Sequence, residues 1–214
     1  MIAMRSVVAL LLVFLAAPPL AAAQESIKLP PPRTEGGKPL IEALWLRGST
    51  RDFAKQPLPQ AVLGELLWAA FGVNRPRDGK RTAPSAHNRQ EVDVYVVTAD
   101  GAFRYDAPGQ TLIPVAKGDL RALTGRQTFP ATAPLNLVYV LDLGRVKGVP
   151  RDAAIEAAAV SVGAIAENVY LYCAAEGLGA VVRGWIERPP LARALVLRAD
   201  QYILLAQSVG YPTK

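Results

Sequence analysis

The 214-residue chain reads as an α+β domain whose central sheet is mixed or mainly antiparallel. Three observations predict this. Two apolar-periodic helical segments come first. A strand, an Asp-Gly turn signal and a returning strand follow them. The second half then alternates strand, long Ala-rich helix, strand, short helix, strand. Helices set apart from a hairpin, rather than regular βαβ repetition, point away from a purely parallel sheet.

The first 23 residues read as a signal peptide outside this domain. Arg5 supplies a short positive region, Val7 to Ala17 is uncharged and apolar, and Ala21-Ala22-Ala23 offers small residues for cleavage before Gln24. Such a run is too short to span a bilayer. The expected product is an exported, periplasmic protein with no stable membrane insertion after cleavage; an uncleaved anchor is the alternative. Residues 24–38, rich in Pro, Gly and charge, read as a flexible arm, mobile or wrapped on the surface. Residues 39–214 form the single remaining domain, long enough for a full core.

Within it, Leu40, Ile41, Leu44 and Trp45 have the spacing of a short helix from Pro39 to Leu46. A second helix starts near Pro59, a residue suited to a first turn, and carries Val62, Leu63, Leu66, Leu67, Ala70 and Phe71 on one face before Gly72. Asn74 to Lys80 reads as a cationic loop. Val92 to Thr98 is β-branched and aromatic, hence a buried strand, with Ala102 to Tyr105 returning beside it. Gly118 to Thr124 reads as a short helix and Leu135 to Leu143 as a second long strand. Asp152 to Glu176 gives the longest helix, stopped by Gly177. Ala180 to Trp185, Pro189 to Leu195 and Tyr202 to Val209 close the chain as strand, helix and strand.

Composition removes several function classes. The net charge of +6 falls to +5 with the loss of Arg5, and the cations are scattered rather than clustered among aromatics, so no nucleic-acid partner is expected. Cys173, the one cysteine, permits no internal disulfide and sits in apolar helical context as a core residue. His87, the one histidine, cannot build a multi-histidine metal centre, and no Gly-x-Ser-x-Gly elbow supports a serine hydrolase. Gly177-Leu178-Gly179 lies after a helix and before a strand, the reverse of a dinucleotide fingerprint.

Four segments carry chemistry. Arg47, Ser49 and Arg51 place two planar guanidinium forks around a hydroxyl, a compact anion clamp; alone, the triplet also fits an exposed cationic turn. Pro84, Ser85 and Asn88 lie just before the first strand. Asn88 offers both a donor pair and an acceptor, though a polar turn would look the same. His87 is either a proton donor to substrate or an exposed turn residue. Arg183 and Gly184 stand where a strand emerges after the long helix. There Gly184 would admit a flat ring close to the main chain; an ordinary strand end is the plain alternative. The final Lys214 either completes a phosphate site or is a solvated terminus.

In order and spacing these segments resemble the nitroreductase-like flavoprotein family, over roughly Lys38 to Lys214. The resemblance implies a nitroreductase-like α+β homodimer with FMN at the subunit interface. On its pattern, Arg47, Ser49 and Arg51 hold the FMN phosphate and ribityl end. Pro84, Ser85 and Asn88 approach the same flavin from the other subunit, and Arg183 and Gly184 lie beside N5. The ending Gly210-Tyr211-Pro212-Thr213-Lys214 resembles the phosphate-contacting tail of the thiazole/oxazole-dehydrogenase-like branch. The implied activity is an FMN-dependent oxidoreductase that moves hydride through N5 with ping-pong kinetics between small-molecule donor and acceptor. No side chain is assigned as acid or base. A flavin-binding or partner-binding protein of the same fold without turnover is the alternative. Export makes a nicotinamide donor awkward, since those cofactors are largely intracellular.

Overall fold

The computed structural model describes residues 24–213; the expected signal segment 1–23 and Lys214 lie outside the described residues. At the sheet centre are β4 (Val92–Val97) and β7 (Leu135–Asp142), in which every residue is buried. Residues such as Val94, Val96, Tyr139 and Leu141 pack well on a pleated surface covered on both faces. Around them stand β1 (Ile27–Lys28), β5 (Gly101–Asp106), β6 (Thr111–Lys117), β8 (Gly179–Arg183) and β9 (Gln201–Gly210), in the order β1-β6-β5-β4-β7-β9-β8. All these strand pairs are antiparallel. The expected α+β fold with a mainly antiparallel sheet is therefore borne out.

Two helices cover one face. α2 (Gln60–Phe71) buries Leu66, Leu67, Ala70 and Phe71, and α3 (Arg151–Ala175) buries Ala154, Ala158, Val162, Ile165, Val169 and Cys173. By length and composition α3 could cross a membrane, but these positions pack into the main core against β4, β7 and β9. Small Ala side chains let the sheet approach α3 closely, and Gly177 in the left-handed region (φ +70°) ends it. On the opposite face α4 (Arg188–Ala194) sets Leu191 into a second core with Val138, Val140 and Ile203. α1 (Leu40–Leu46) lies against α3.

Five local features differ from the sequence expectation or sharpen it. Of the two forms open to residues 24–38, mobile or wrapped on the surface, the segment takes the wrapped one. Leu29 is buried, β1 pairs with β6, and Arg33 bonds both Glu65 and Glu176. The expected cationic loop 74–80 folds as a small hairpin of β2 (Val73–Arg75) and β3 (Lys80–Arg81). β6 gave no strand signal because Pro114 interrupts it. The proline is tolerated because β1 covers β6 only at Thr111 and Leu112, leaving Pro114 on an open edge. The short helix expected at 118–124 is a single 3-10 turn at Arg121–Thr124. The apolar stripe of α1 faces outward: only Ala43 is buried, and Trp45 is 85% exposed.

Candidate functional site

α1 ends at Leu46, and the next residues turn along the free edge of β8. Ser49 forms a parallel bridge with Ala180, and the Thr50 N–H donates to the Ala180 carbonyl at 2.9 Å. Gly179 is required for this approach, because a Cβ there would lie 2.7 Å from the Thr50 Cβ. Tyr170 of α3 fixes the segment from below. Its hydroxyl accepts the Val182 N–H at 2.9 Å and lies 3.1 Å from the Ser49 hydroxyl, while the Arg47 guanidinium stands 5.3 Å over its ring. Tyr170 is thus a site residue that motif reading passed over, since a tyrosine among alanines in a helix signals only core packing.

Arg47 and Arg51 are exposed, and among the described residues neither pairs with a carboxylate. Both guanidinium forks remain available to an anion. The chain end is laid beside them. Phe53 bridges Pro212, the Ala54 N–H donates to the Tyr211 carbonyl at 2.8 Å, and the Thr213 N–H donates to the Asp52 carbonyl at 3.2 Å. The fold therefore delivers the tail to the residue after Arg51; Lys214 itself is outside the described residues.

Arg183 and Gly184, at the end of β8, are placed differently. The Arg183 side chain turns inward onto β7, β9 and the 3-10 turn. It donates to Asn136 Oδ1 at 2.5 Å, to Thr124 Oγ1 at 3.0 Å and to Ser208 Oγ at 3.1 Å, bonds the Thr124 carbonyl, and stands 5.9 Å over the Phe129 ring. No carboxylate among the described residues joins this cluster, and burial pushes the guanidinium down to about 10. Only the main chain of Arg183 can serve a ligand at the strand edge. Gly184 is exposed, and a Cβ there would meet nothing nearer than Leu205 at 3.4 Å. The Ala180 carbonyl and the Val182 N–H both face the β8 edge away from β9. Strand alternation continues that face to Gly184.

Pro84, Ser85 and Asn88 occupy the turn before β4. Ser85 Oγ accepts the Gln90 N–H at 2.9 Å, and Asn88 Oδ1 accepts from Gln90 Nε2 at 3.1 Å, leaving the Asn88 amide donors outward. His87 and Asn88 (both φ +53°) and Gln90 (φ +51°) are left-handed, a run that costs energy for residues with a Cβ. His87 is exposed. Among the described residues no hydrogen bond links this turn to Arg47–Arg51. Within one chain the fold brings together the clamp, the end of β8 and the tail; the 84–88 turn stands apart.

The residues present fit a flat, phosphate-bearing group. Two guanidiniums with no carboxylate partner among the described residues and a hydroxyl lie at one end, and a glycine with open space at the other. Cys173 fits the core role expected of it, with its thiol pushed up by burial, and no metal-ligating cluster occurs among the described residues.

A family model described as "Nitroreductase family" matches residues 46–211. A crystal structure from Ralstonia eutropha JMP134, of a protein called a nitroreductase by name alone, shares 46% identity. It covers 89% of this chain and 91% of its own at a TM-score of 0.85. A Methanocaldococcus jannaschii protein, also called a nitroreductase by name alone, is 30% identical over 181 residues, 80% of this chain and 90% of that one. The NADPH:FMN oxidoreductase of Vibrio harveyi, solved with NAD+, is 21% identical at a TM-score of 0.60 over 82% of this chain and 69% of that one, a likeness of fold.

Proposed function

Because this chain belongs to the nitroreductase family, we propose that it is an FMN-dependent oxidoreductase acting as a homodimer. One observation carries the reading. Arg47, Ser49 and Arg51 are held against the β8 edge by Tyr170, with neither arginine paired to a carboxylate among the described residues and Gly184 open beyond them.

In this reading Arg47 and Arg51 hold the phosphate, with Ser49 supporting and Lys214 completing the charge from the tail laid along Asp52–Ala54. Gly184 presents its N–H to the ring edge, and Arg183 contributes through its main chain. Bound FMN supplies hydride transfer at N5. The chain's own work is to orient the ring, and no side chain near Gly184 is assigned to move a proton; solvent serves that need. Donor and acceptor take turns on one open face, which makes the kinetics ping-pong.

The second subunit supplies Ser85 and Asn88, positioned by Pro84, which explains why that turn stands apart from the clamp within one chain. The contact surface is the outward side of α1, where Ile41 is 66% exposed and Trp45 85%, continued by Val160 of α3 at 72%. Apolar exposure on this scale marks an interface. Cleavage after residue 23 and export to the periplasm complete the reading, and they favour an electron donor other than NAD(P)H.

The test is a visible spectrum of the protein after reconstitution with excess FMN and desalting, followed by reduction and reoxidation by a quinone or nitroaromatic. Retained flavin of about one per chain that cycles through both states supports an oxidoreductase. Retained flavin that never turns over supports a flavin-binding protein. Folded, colourless protein overturns the site.

A further inference from the structure

β4 pairs with β7 along its whole length, from Val92 to Val97. It pairs with β5 only over Tyr95, Val96 and Val97, against Arg104, Phe103 and Ala102. β5 nevertheless runs on to Asp106, held by β6. Below Tyr95 the two strands therefore part, and the fork encloses a cavity of about 290 Å³. Strand backbones left unpaired in a sheet must find other partners, so what lines the opening decides what can fill it.

Four arginines line it, Arg81, Arg89, Arg104 and Arg145, against two carboxylates, Asp93 and Asp106. Asp93 is taken up by Arg145 at 2.7 Å, and Asp106 accepts the Gly109 N–H at 2.9 Å. Among the described residues the hydrogen bonds of the Arg81 guanidinium go to neutral oxygens, the Gln90 side chain at 2.8 Å and the Phe71 carbonyl at 3.3 Å, while Asp93 and Asp106 act on it only through space. Arg89 and Arg104 have no ion pair among the described residues. Arg81 is half-buried, and burial is the main cause that pushes its guanidinium down. Positive charge half-buried as at Arg81 is costly unless an anion joins it.

We propose that the β4–β5 fork is a binding site for a small polyvalent oxyanion, a phosphate monoester or a di- or tricarboxylate, distinct from the Arg47–Arg51 clamp. Guanidinium forks match the oxygen geometry of both chemistries, and two surplus cations call for at least two negative charges. The site is wired to the turn before β4. Gln90, which accepts from Arg81 and whose carbonyl accepts from Arg145 at 2.8 Å, also bonds Ser85 and Asn88.

Isothermal titration of the full chain with inorganic phosphate and, separately, citrate, at constant ionic strength, tests this. One or both ions should saturate a site beyond any binding at the clamp, and which ion binds there separates the two chemistries. Binding should survive Arg47→Ala/Arg51→Ala and weaken roughly tenfold or more in Arg89→Gln/Arg104→Gln, through lost charge-assisted bonds. Asp106→Asn removes a negative charge and leaves an acceptor for Gly109, so it should tighten binding. That keeps the test decisive if the double variant fails to fold. No saturable binding, binding that disappears with Arg47 and Arg51 instead, or unchanged affinity in Asp106→Asn would each overturn the proposal. None of these outcomes depends on whether FMN binds.

Discussion

The Tyr170 hydroxyl accepts the Val182 N–H at 2.9 Å and lies 3.1 Å from the Ser49 hydroxyl, so one α3 side chain ties the β8 edge to the clamp. Tyr170→Phe leaves the Val182 N–H without its partner and Ser49 without its anchor. The expected loss is about 1–3 kcal/mol of stability, the cost of an orphaned buried donor, together with weaker FMN retention. Denaturant titration and flavin fluorescence read the two effects separately. Unchanged flavin affinity would mean Tyr170 serves the fold alone.

Arg47→Ala and Arg51→Ala each remove a charge-assisted bond to phosphate. Each should weaken FMN by about 1.5–3 kcal/mol, measured by quenching of flavin fluorescence on binding. Among the described residues neither arginine carries an ion pair, so thermal stability without flavin should hardly change. Wild-type retention by the double variant would place the phosphate elsewhere.

Arg183 is buried with four neutral oxygens and no carboxylate. Arg183→Met strands the Thr124 carbonyl, at about 1–3 kcal/mol, and leaves Asn136 Oδ1 with the Ser208 hydroxyl at 2.6 Å as its remaining donor. Chemical denaturation should show a large loss, and Arg183→Lys should recover only part of it because an ammonium lacks the planar fork. A methionine variant as stable as wild type would show that the buried charge costs as much as its bonds return.

Glu65 ties the N-terminal segment to α2 through Arg33. Burial would raise its carboxyl, but the hydrogen bonds from Arg33 and Tyr172 outweigh that and hold it below the ordinary carboxylate value. A carboxyl whose folded pKa is depressed stabilises the fold above its unfolded pKa, and that contribution is lost as pH falls through the folded value. Hydrogen exchange corrected for intrinsic rates should show residues 27–33 losing protection in acid, below about pH 4. Glu65→Gln should show the same loss at neutral pH. Protection independent of pH in wild type would assign the anchoring to Leu29 and β1 alone.

Most elements were readable from local pattern. Val92–Val97, Leu135–Asp142 and α3 announce themselves because strand alternation, β-branching and a long alanine-rich period are short-range properties. β6 was not readable, because Pro114 is permitted only by the shortness of β1, which comes from a distant part of the chain. Composition left the 24–38 segment either mobile or wrapped on the surface, and long-range contacts through β1, Leu29 and Arg33 decided for the wrapped form.

The sequence by itself determined the residue types of the site, since guanidiniums, hydroxyls and glycines at fixed spacing carry their chemistry wherever they are placed. Only the tertiary structure decided which of them act together. It set Arg47 and Arg51 beside β8 with no carboxylate partner among the described residues, turned the Arg183 side chain inward, brought the tail to Asp52, and opened the arginine-lined fork between β4 and β5. The physical reason is that side-chain direction and charge pairing depend on strand register and on neighbours far away in sequence, which no local spacing encodes.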